Sequence, residues 1–339
     1  MQKLRVNMVS ESEFTVQGHG VHTAFRELTD ELQTRNDVEL TVNKSNKGAD
    51  ITHIQTVGLY SAWKLITGKS KKVVSVHVIP ESFVGSIVGA TYWLPLARLY
   101  LKWFYSRADL LFAVSNTVAH ELQATMHIKK PIEVFYNTVS MKSYAGTKDM
   151  KASARRSLSI KPKEWVVVGN GQVQPRKRLD TFFETAMLCP DVTFIWIGGI
   201  PFKQLGAEYG KMNSLMEQTP PNVRMTGIID HEKVRTYLHA ADVFFLPAEQ
   251  ENHPMCVLEA AGAQLPIVLR DIPEYDDTFK DDALLISHAS EAAEHIVSLR
   301  DNPSFMEKSK VATLRIAKRF DSKAGAEIAV AKYRELITK

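Results

Sequence analysis

The sequence predicts an α/β protein of two doubly wound domains, each with a parallel sheet, that face each other across a cleft. The chain has 339 residues, which is too long for one ordinary core and suits two domains of similar size. Apolar strand-like runs alternate with helical patterns in both halves, which favours parallel strands joined by crossover helices. A stretch without apolar periodicity, within residues 141–164, separates the halves. We therefore expect domains over residues 1–145 and 146–317, with a helix at about 318–339 that can pack back on the first.

Each half contributes its own series of predicted strands. In the first half they span residues 4–9, 50–56, 73–78, 110–114 and 132–136. In the second half they span residues 165–169, 193–197, 223–227, 243–246 and 266–269. Amphipathic patterns predict helices over residues 22–34 and 324–337. In open sheets of this type ligands bind beyond the carboxyl ends of the strands, so we expect the chemistry in the cleft between the sheets.

The composition is that of a folded protein, with 45% hydrophobic and 24% charged residues. Cys189 and Cys256 lie in apolar stretches without a disulfide framework, which favours a reduced, cytoplasmic setting. The N-terminal segment MQKLRVNMVS lacks an apolar core and a cleavage site, so no secretory signal is expected.

One region of the chain is basic and rich in aromatic residues. Residues 51–130 hold nine Lys or Arg against three Asp or Glu, although the whole chain carries only +4. Residues 83–105 are apolar but interrupted by Pro95, Arg98 and Lys102, which favours an interfacial amphipathic helix over a membrane span. The alternative is a helix buried in the first domain, and this must be true for part of the segment. We predict an anionic membrane surface as partner rather than a nucleic acid, for which no motif is present. The candidate membrane or acceptor residues are Lys64, Lys69, Lys71, Lys72, Trp93, Arg98, Lys102 and Trp103.

The most informative segment is PAEQENHPMCVLEAAGA, residues 247–263, which follows a predicted strand. Proline is tolerated as the first residue of a helix, so a helix is predicted to begin at Pro254. Its first backbone amides would be unpaired, and a helix N-terminus suits a diphosphate in both charge and donors. These amides belong to Met255, Cys256 and Val257.

Two glutamates bracket this helix start. Glu251 lies in the preceding loop and Glu259 lies about one and a half turns into the helix. One carboxylate could reach sugar hydroxyls near the phosphate, and the other the ribose hydroxyls. The alternative is a surface helix with solvated glutamates, which the preceding strand and the small residues 260–263 disfavour.

A basic run, QPRKR, follows the predicted strand 165–169 and the glycines Gly169 and Gly171. Basic runs are usually solvated, but at a helix start after a glycine-rich turn phosphate binding is favoured. Arg176 and Lys177 are the candidates.

Together these segments resemble the retaining glycosyltransferases of family 4, which have the GT-B fold. Glu251 and Glu259 are spaced like that family's E-x7-E element, and VVVGNGQVQPRKRLD resembles its strand–loop–helix with a phosphate-binding lysine. VRMTGIID, AADVFFLP, LLFAVS and VFYN also match in their places, so the resemblance covers nearly the whole chain. Within the family, LRVNMVSESE, FIWIGGIPF and the lysine segment are most similar to bacterial diglycosyl-diacylglycerol synthases.

The resemblance implies roles for particular residues in binding a nucleotide-sugar donor. It implies that Glu259 binds the ribose, that Glu251 contacts the donor sugar or its phosphate, and that Lys177 neutralises the diphosphate. The remaining donor-binding candidates of the second half are Gln172, Arg176, Gly227, Ile228 and Asn252. Gln172 stands where the family often has arginine, which removes one fixed positive charge that Arg176 could replace.

The first half of the chain offers weaker indications of donor-binding residues. Gly18 and Gly20 follow the first strand, where glycine lets the backbone approach a phosphate or sugar. The full dinucleotide pattern G-x-G-x-x-G is absent, because Thr23 stands where its last glycine would be, and this argues against a nicotinamide dehydrogenase. His77 ends a buried strand, and the resemblance implies that it contacts the donor. His53 is a weaker candidate of the same kind.

The resulting hypothesis is hexosyl transfer with retention through an oxocarbenium-like transition state, in which charge grows on the departing diphosphate. UDP-glucose or UDP-galactose is the expected donor, and no cofactor or metal is expected, because the acidic pairs 276–277 and 281–282 are predicted to be surface residues. The implied acceptor is monoglucosyl-diacylglycerol, in making the lipoteichoic acid anchor, by a peripheral enzyme at the cytoplasmic face of the cell membrane. The alternatives are a family member with a soluble or polysaccharide acceptor, a nucleotide-binding oxidoreductase, and an inactive binding module.

Overall fold

The computed structural model describes residues 3–14, 20–83, 89–200 and 208–338 of the chain. Within them lie two separate sheets of six parallel strands each, covered by helices. The predicted α/β class and the pair of doubly wound domains are confirmed.

The first sheet has the strand order β2-β1-β3-β4-β5-β6. Its strands are β1 (Leu4–Val9), β2 (Val38–Val42), β3 (Ile51–Ile54), β4 (Lys71–Val76), β5 (Leu110–Ala113) and β6 (Ile132–Val134). The helices between them are α1 (Gly20–Gln33), α2 (Leu59–Ile66), α3 (Ala90–Tyr105) and α4 (Asn116–His120), which a π turn at Glu121–Thr125 continues. Single 3₁₀ turns lie at Glu11–Glu13 and Pro80–Phe83.

The second sheet has the strand order β12-β11-β10-β7-β8-β9. Its strands are β7 (Val166–Asn170), β8 (Thr193–Ile197), β9 (Val223–Met225), β10 (Val243–Leu246), β11 (Ile267–Arg270) and β12 (Leu284–Ile286). The remaining helices, in chain order, are α5 (Met141–Tyr144), α6 (Lys148–Ser157), α7 (Leu179–Leu188), α8 (Tyr209–Glu217), α9 (His231–Ala240), α10 (Met255–Gly262), α11 (Ala289–Asp301), α12 (Pro303–Arg319) and α13 (Ser322–Thr338). Single 3₁₀ turns lie at Pro175–Lys177 and Pro273–Tyr275.

The sequence did not predict β2 and β12, which are outer strands of the two sheets. The residues of β2 alternate between more and less buried, and β12 has only one fully buried residue. The strand β2 (VELTV) therefore lacks the continuous apolar run that marks a central parallel strand, whereas β12 (LLI) is apolar but only three residues long.

Helices cover both faces of the first sheet. Residues of α2, α3 and α4 form one core cluster with the sheet. On the opposite face α1 packs with α13, the last helix of the chain, so that Phe25 and Tyr333 share a core with Val6. The chain thus passes between the domains twice, and the two passages pair where the Val139 amide donates to the Phe320 carbonyl at 2.9 Å.

His53 belongs to this core rather than to a site. Its side chain is fully buried, and its ring nitrogens hydrogen-bond to the hydroxyls of Tyr333 and Ser75. Burial lowers the pKa of His53 to about 3, so the imidazole is neutral.

Candidate functional site

A cleft of about 570 Å³ lies between the carboxyl ends of the two sheets. Its first-domain wall includes Gly20 at the start of α1 and His77 after β4, and its second-domain wall includes Gly171 after β7 and Met255 at the start of α10. Of the predicted donor and catalytic residues, the cleft wall includes His77, Glu251, Lys177, Gly20, Gln172, Arg176, Ile228, Asn252, Met255, Cys256 and Glu259. Gly18 lies outside the described residues, while Gly227 and Val257 do not line the cleft.

The helix predicted to start at Pro254 starts one residue later. Pro254 has an extended backbone and is the residue that caps α10, so that Met255 is the first helical residue. The amide of Val257 donates to the Pro254 carbonyl at 3.2 Å in a tight first turn, and the Val257 side chain is buried in the core. The expectation of three free amides is therefore wrong for Val257. Within the described part of the chain, the Met255 and Cys256 amides have no acceptor, which leaves two donors directed at the cleft.

Lys177 and Glu251 meet on the floor of the cleft. The Lys177 ammonium donates to Glu251 Oε1, and both side chains are at least nine-tenths buried. A guanidinium nitrogen of Arg176 lies 3.7 Å from the other oxygen of Glu251. Two cations thus surround one carboxylate beside the start of α10, so the floor keeps a positive excess suited to a diphosphate.

The second glutamate of the pair, Glu259, lies deeper in the cleft and is 2% exposed. Its Oε1 is 2.7 Å from His231 Nε2 and accepts a hydrogen bond from the Tyr144 hydroxyl at 3.3 Å. The hydrogen bond that His231 donates to Glu259 is the main reason that the pKa of His231 is raised. The other carboxylate oxygen of Glu259 has no protein donor within the described residues, so the group keeps capacity to accept hydrogen bonds from ligand hydroxyls.

A close approach of two loops shapes the cleft wall beside Lys177. Gly198 follows β8 with a φ of +131°, and a Cβ there would lie 2.1 Å from the Gly171 carbonyl oxygen. The loops after β7 and β8 are joined by the Val173 amide, which donates to the Gly199 carbonyl at 3.0 Å. Only glycine fits at Gly198, because the backbone there is both left-handed and in contact with another backbone. Gln172 reaches the cleft from this loop and accepts a hydrogen bond from Gln174.

The loop after β9 forms the edge of the cleft. Gly227 adopts a φ of +66°, and the following Ile228 is 71% exposed at the cleft wall. An exposed apolar side chain at the edge of a polar cleft provides an apolar surface against which a base can pack.

Two hydrogen bonds join the domains next to the glutamate loop. Asn252 Nδ2 donates to the His77 carbonyl at 3.0 Å, and Asn137 Nδ2 donates to the His253 carbonyl at 2.8 Å. The His77 ring is oriented by Gln55, whose Oε1 lies 2.9 Å from His77 Nε2. Asn252 therefore positions the two walls of the cleft relative to each other.

A group that the sequence did not single out, Glu27 of α1, lies near enough to Glu259 for the two charges to interact. Its Oε2 accepts the Ser140 amide at 2.7 Å. Burial raises the pKa of Glu27 to about 7, and the negative charge of Glu259 adds to the shift. A single glutamate on an amphipathic helix gives no sequence signal, because its environment depends on the second domain. Thr23, one turn earlier, reaches across to His231 at 3.1 Å.

The two acidic pairs expected at the surface behave differently from each other. Asp282 is 6% exposed and forms ion pairs with Arg315 and Arg319 at 2.7 and 3.0 Å, so the surface prediction is wrong for it. Asp277 accepts a hydrogen bond from the Tyr136 hydroxyl at 2.6 Å. In the part of the chain that the structure describes, no group of His, Cys, Asp and Glu is arranged to hold a metal ion.

Comparison with known proteins identifies both halves of the chain. Residues 16–143 match the family model described as Glycosyltransferase Family 4, and residues 150–313 match that described as Glycosyl transferases group 1. The alpha-galactosylglucosyldiacylglycerol synthase of Streptococcus pneumoniae is 30% identical over 323 residues, which cover 94% of this chain and 86% of that protein. The processive diacylglycerol alpha-glucosyltransferase of Acholeplasma laidlawii is 24% identical over 274 residues, 81% of each chain.

Solved structures share the fold at low sequence identity. Sucrose-phosphate synthase from Thermosynechococcus elongatus superimposes with a TM-score of 0.80 at 15% identity, covering 99% of this chain and 100% of that one. Anabaena HepE in complex with UDP and glucose superimposes with a TM-score of 0.74 at 14% identity, covering 97% and 99%. The resemblance predicted from the sequence is thus confirmed: the chain belongs to the family 4 glycosyltransferases of the GT-B fold, with diacylglycerol glycosyltransferases among its relatives.

Proposed function

We propose that this glycosyltransferase moves glucose or galactose from a UDP-sugar to monoglucosyl-diacylglycerol, with retention, at the cytoplasmic face of the membrane in lipoteichoic acid anchor synthesis. The observation that carries the donor half is the arrangement of Lys177, Arg176 and the start of α10 on one side of the cleft. A UDP-sugar places its diphosphate between a nucleoside and a hexose. The cleft lining offers a partner for each part: Glu259 for the nucleoside, the amides at the start of α10 for the diphosphate and the first-domain wall at His77 for the hexose.

The charge that develops in the reaction supports this orientation. As the bond to the anomeric carbon breaks, negative charge grows on the departing diphosphate and positive charge on the sugar ring. Lys177, Arg176 and the amides of Met255 and Cys256 are fixed before the reaction, so they favour the transition state without reorganising. These groups supply the positive charge that a metal ion would otherwise provide, which is why we propose transfer without a metal.

Retention is supported by stereochemistry. The names of the relatives from Streptococcus pneumoniae and Acholeplasma laidlawii specify alpha products. UDP-glucose and UDP-galactose are themselves α-linked, so an α product from either donor requires overall retention.

A membrane-bound acceptor is supported by an apolar surface on the first domain. Each of α2 and α3 carries three exposed apolar residues one helical turn apart, with more than half of each side chain accessible to solvent. We call these six residues the apolar ridge: Leu59, Trp63, Ile66, Tyr92, Leu96 and Leu99. The two helices pack together, since the Tyr100 hydroxyl donates to the Val57 carbonyl at 2.7 Å just before α2. Exposed aliphatic and aromatic residues with adjacent cations suit an interface of anionic lipid.

The residues that are exposed at this surface differ in part from those predicted from the sequence. Lys69, Arg98 and Lys102 are exposed as expected and Lys71 is partly buried, but Lys64 and Lys72 are buried and donate to backbone carbonyls. Trp93 and Trp103 are half-buried and pack on Phe83 and Tyr100, so residues of the ridge replace them at the surface. None of the helices in the described ranges has the combined length and apolar character that crossing a bilayer requires.

The test is transfer to vesicles that contain monoglucosyl-diacylglycerol, with UDP-glucose and UDP-galactose offered separately. The lipid product is identified by mass and its anomeric configuration by NMR, and the Lys177→Met variant serves as the inactive control. A β-linked product would refute retention. Transfer only to soluble sugars would refute the lipid acceptor, and binding of a reduced nicotinamide instead of UDP would refute the whole assignment.

A further inference from the structure

A second recess, of about 880 Å³, opens on the first domain away from the cleft. It lies between the loop that follows β2 and the helix α2 with the loop after it. Its walls hold four lysines and two aromatic residues, and no acidic side chain is among the residues that line it. These six are Lys44, Lys47, Lys64, Lys69, Tyr60 and Trp63.

The charge of this recess is not balanced by the protein. Within the described ranges none of the four lysines forms an ion pair with a carboxylate. Two carboxylates in the segments next to the recess are engaged elsewhere, because Asp50 binds Arg5 at 2.7 Å and Asp109 accepts the backbone amide of Lys72 at 2.7 Å. A concave surface lined with cations and aromatic groups concentrates anions.

Two buried ammonium groups, those of Lys64 and Lys72, bond to residues that line the recess. Lys64 is 3% exposed, donates to the Lys44 carbonyl, and lies 4.7 Å from the ring centroid of Trp63. Lys72 is 6% exposed and donates to the Thr67 carbonyl at 2.7 Å. Burial lowers the pKa of Lys72 to about 8, and the charge of Lys64 contributes to that lowering. Buried cations that meet only neutral acceptors are stabilised when an anion comes near.

Hydrogen bonds hold the walls of the recess in place. The buried amide of Asn46 donates to the carbonyls of Lys64 at 2.8 Å and Thr67 at 3.0 Å, which joins the β2 loop to α2. Gly68 packs against Asn46 with a φ of +77°, so a side chain there would collide with it. The Tyr60 hydroxyl donates to the Asn43 carbonyl at 2.8 Å and closes the other end.

We propose that this recess binds the phosphate group of an anionic membrane lipid, at a site separate from the catalytic cleft. A phosphodiester offers a fixed negative charge and several acceptor oxygens to the surrounding lysines. A lipid is favoured over a free phosphate because Trp63 belongs both to the recess and to the apolar ridge. The headgroup can therefore lie in the recess while its acyl chains lie along Leu59 and Ile66. This inference rests on the proposed action at a membrane.

The test uses short-chain phosphatidylglycerol, dispersed below its micellar concentration, in calorimetric titrations with the full-length protein. We expect saturable binding of one lipid per chain, weakened about tenfold or more in Lys44→Glu/Lys47→Glu. The matched control is Lys129→Glu/Lys130→Glu, which makes the same change of charge on the same domain outside the recess and leaves the affinity within about twofold. All four side chains are exposed, so neither variant removes a buried contact.

Three outcomes would overturn the proposal. They are non-saturable binding, an equal loss in both variants, and binding of glycerol phosphate or an oligonucleotide as tight as that of the lipid. Transfer by the wild-type protein to glycolipid in non-ionic detergent is measured separately, with and without added phosphatidylglycerol. Failure of that transfer under both conditions refutes the proposed function, whereas transfer in detergent without saturable phosphatidylglycerol binding refutes only the lipid site.

Discussion

The Lys177 ammonium and the Glu251 carboxylate form a buried ion pair, although 74 residues separate them in the chain. The pair joins the loop after β7 to the loop before α10, and it lies where the diphosphate of the donor is proposed to bind. We expect a diphosphate that binds here to compete with Glu251 for Lys177, which would give the ion pair a role in substrate binding besides its role in stability.

Lys177→Met is expected to destabilise the protein by about 3 kcal/mol, because it leaves the Glu251 carboxylate buried with only Arg176 at 3.7 Å. The double variant Lys177→Met/Glu251→Gln should recover most of that stability but not transfer, since the charge that stabilises the leaving group is still absent. Urea unfolding measures the stability, and a transfer assay with glycolipid vesicles measures the activity. Lys163→Met, at an exposed position, is the control. Recovery of transfer in the double variant would refute the proposed role of Lys177.

Glu259 is predicted to bind the ribose hydroxyls. The wild-type protein should therefore bind UDP about tenfold or more tightly than 2′,3′-dideoxy-UDP, as expected for hydrogen bonds to a charged acceptor. In Glu259→Gln this preference should shrink to about twofold or less, because the amide accepts more weakly. Glu232→Gln, an exposed change on α9, should keep the full preference. An unchanged preference in Glu259→Gln would place the ribose elsewhere.

Glu27 should make the stability of the protein fall as the pH rises from about 4.5 to about 7. Its pKa is raised from an ordinary 4.5 to about 7, so the folded state binds more protons than the unfolded state across that window. Glu27→Gln removes this pH dependence of stability, while the amide oxygen of the glutamine can still accept a hydrogen bond from the Ser140 amide. The variant should gain about 1–3 kcal/mol over wild type at pH 8 and much less at pH 5.

Thermal unfolding at both pH values measures the Glu27 effect. Glu184→Gln, on an exposed position of α7, should show no such difference. Equal gains of Glu27→Gln at pH 5 and pH 8 would contradict the raised pKa.

The apolar ridge should determine binding to vesicles. Leu96→Glu/Leu99→Glu places two charges on an exposed part of α3 and is expected to lower vesicle affinity at least about tenfold, because charges resist insertion into lipid. The control is Val311→Glu/Ile328→Glu, which changes apolar residues of α12 and α13 that are also more than half exposed. Vesicle flotation measures both variants, and an equal response would exclude the ridge as the contact surface.

Local patterns were sufficient to predict the central architecture. The central strands β8 and β10 carry continuous apolar runs, FIWI and VFFL, between turn residues, and their predicted and observed bounds coincide. Edge strands such as β2 were missed because partial burial leaves no such run. The E-x7-E spacing and the basic run at Arg176 and Lys177 likewise predicted residues that now line one cleft.

The sequence by itself thus determined which residue types stand at the carboxyl ends of the strands, because strand periodicity and helix starts are local properties. Only the tertiary structure decided which of them meet. The Lys177–Glu251 pair, the approach of Glu27 to Glu259 and the burial of Lys64 all depend on packing between distant segments. Burial and charge proximity, which set the pKa and the partner of each group, are properties of that packing and leave no pattern in the order of residues.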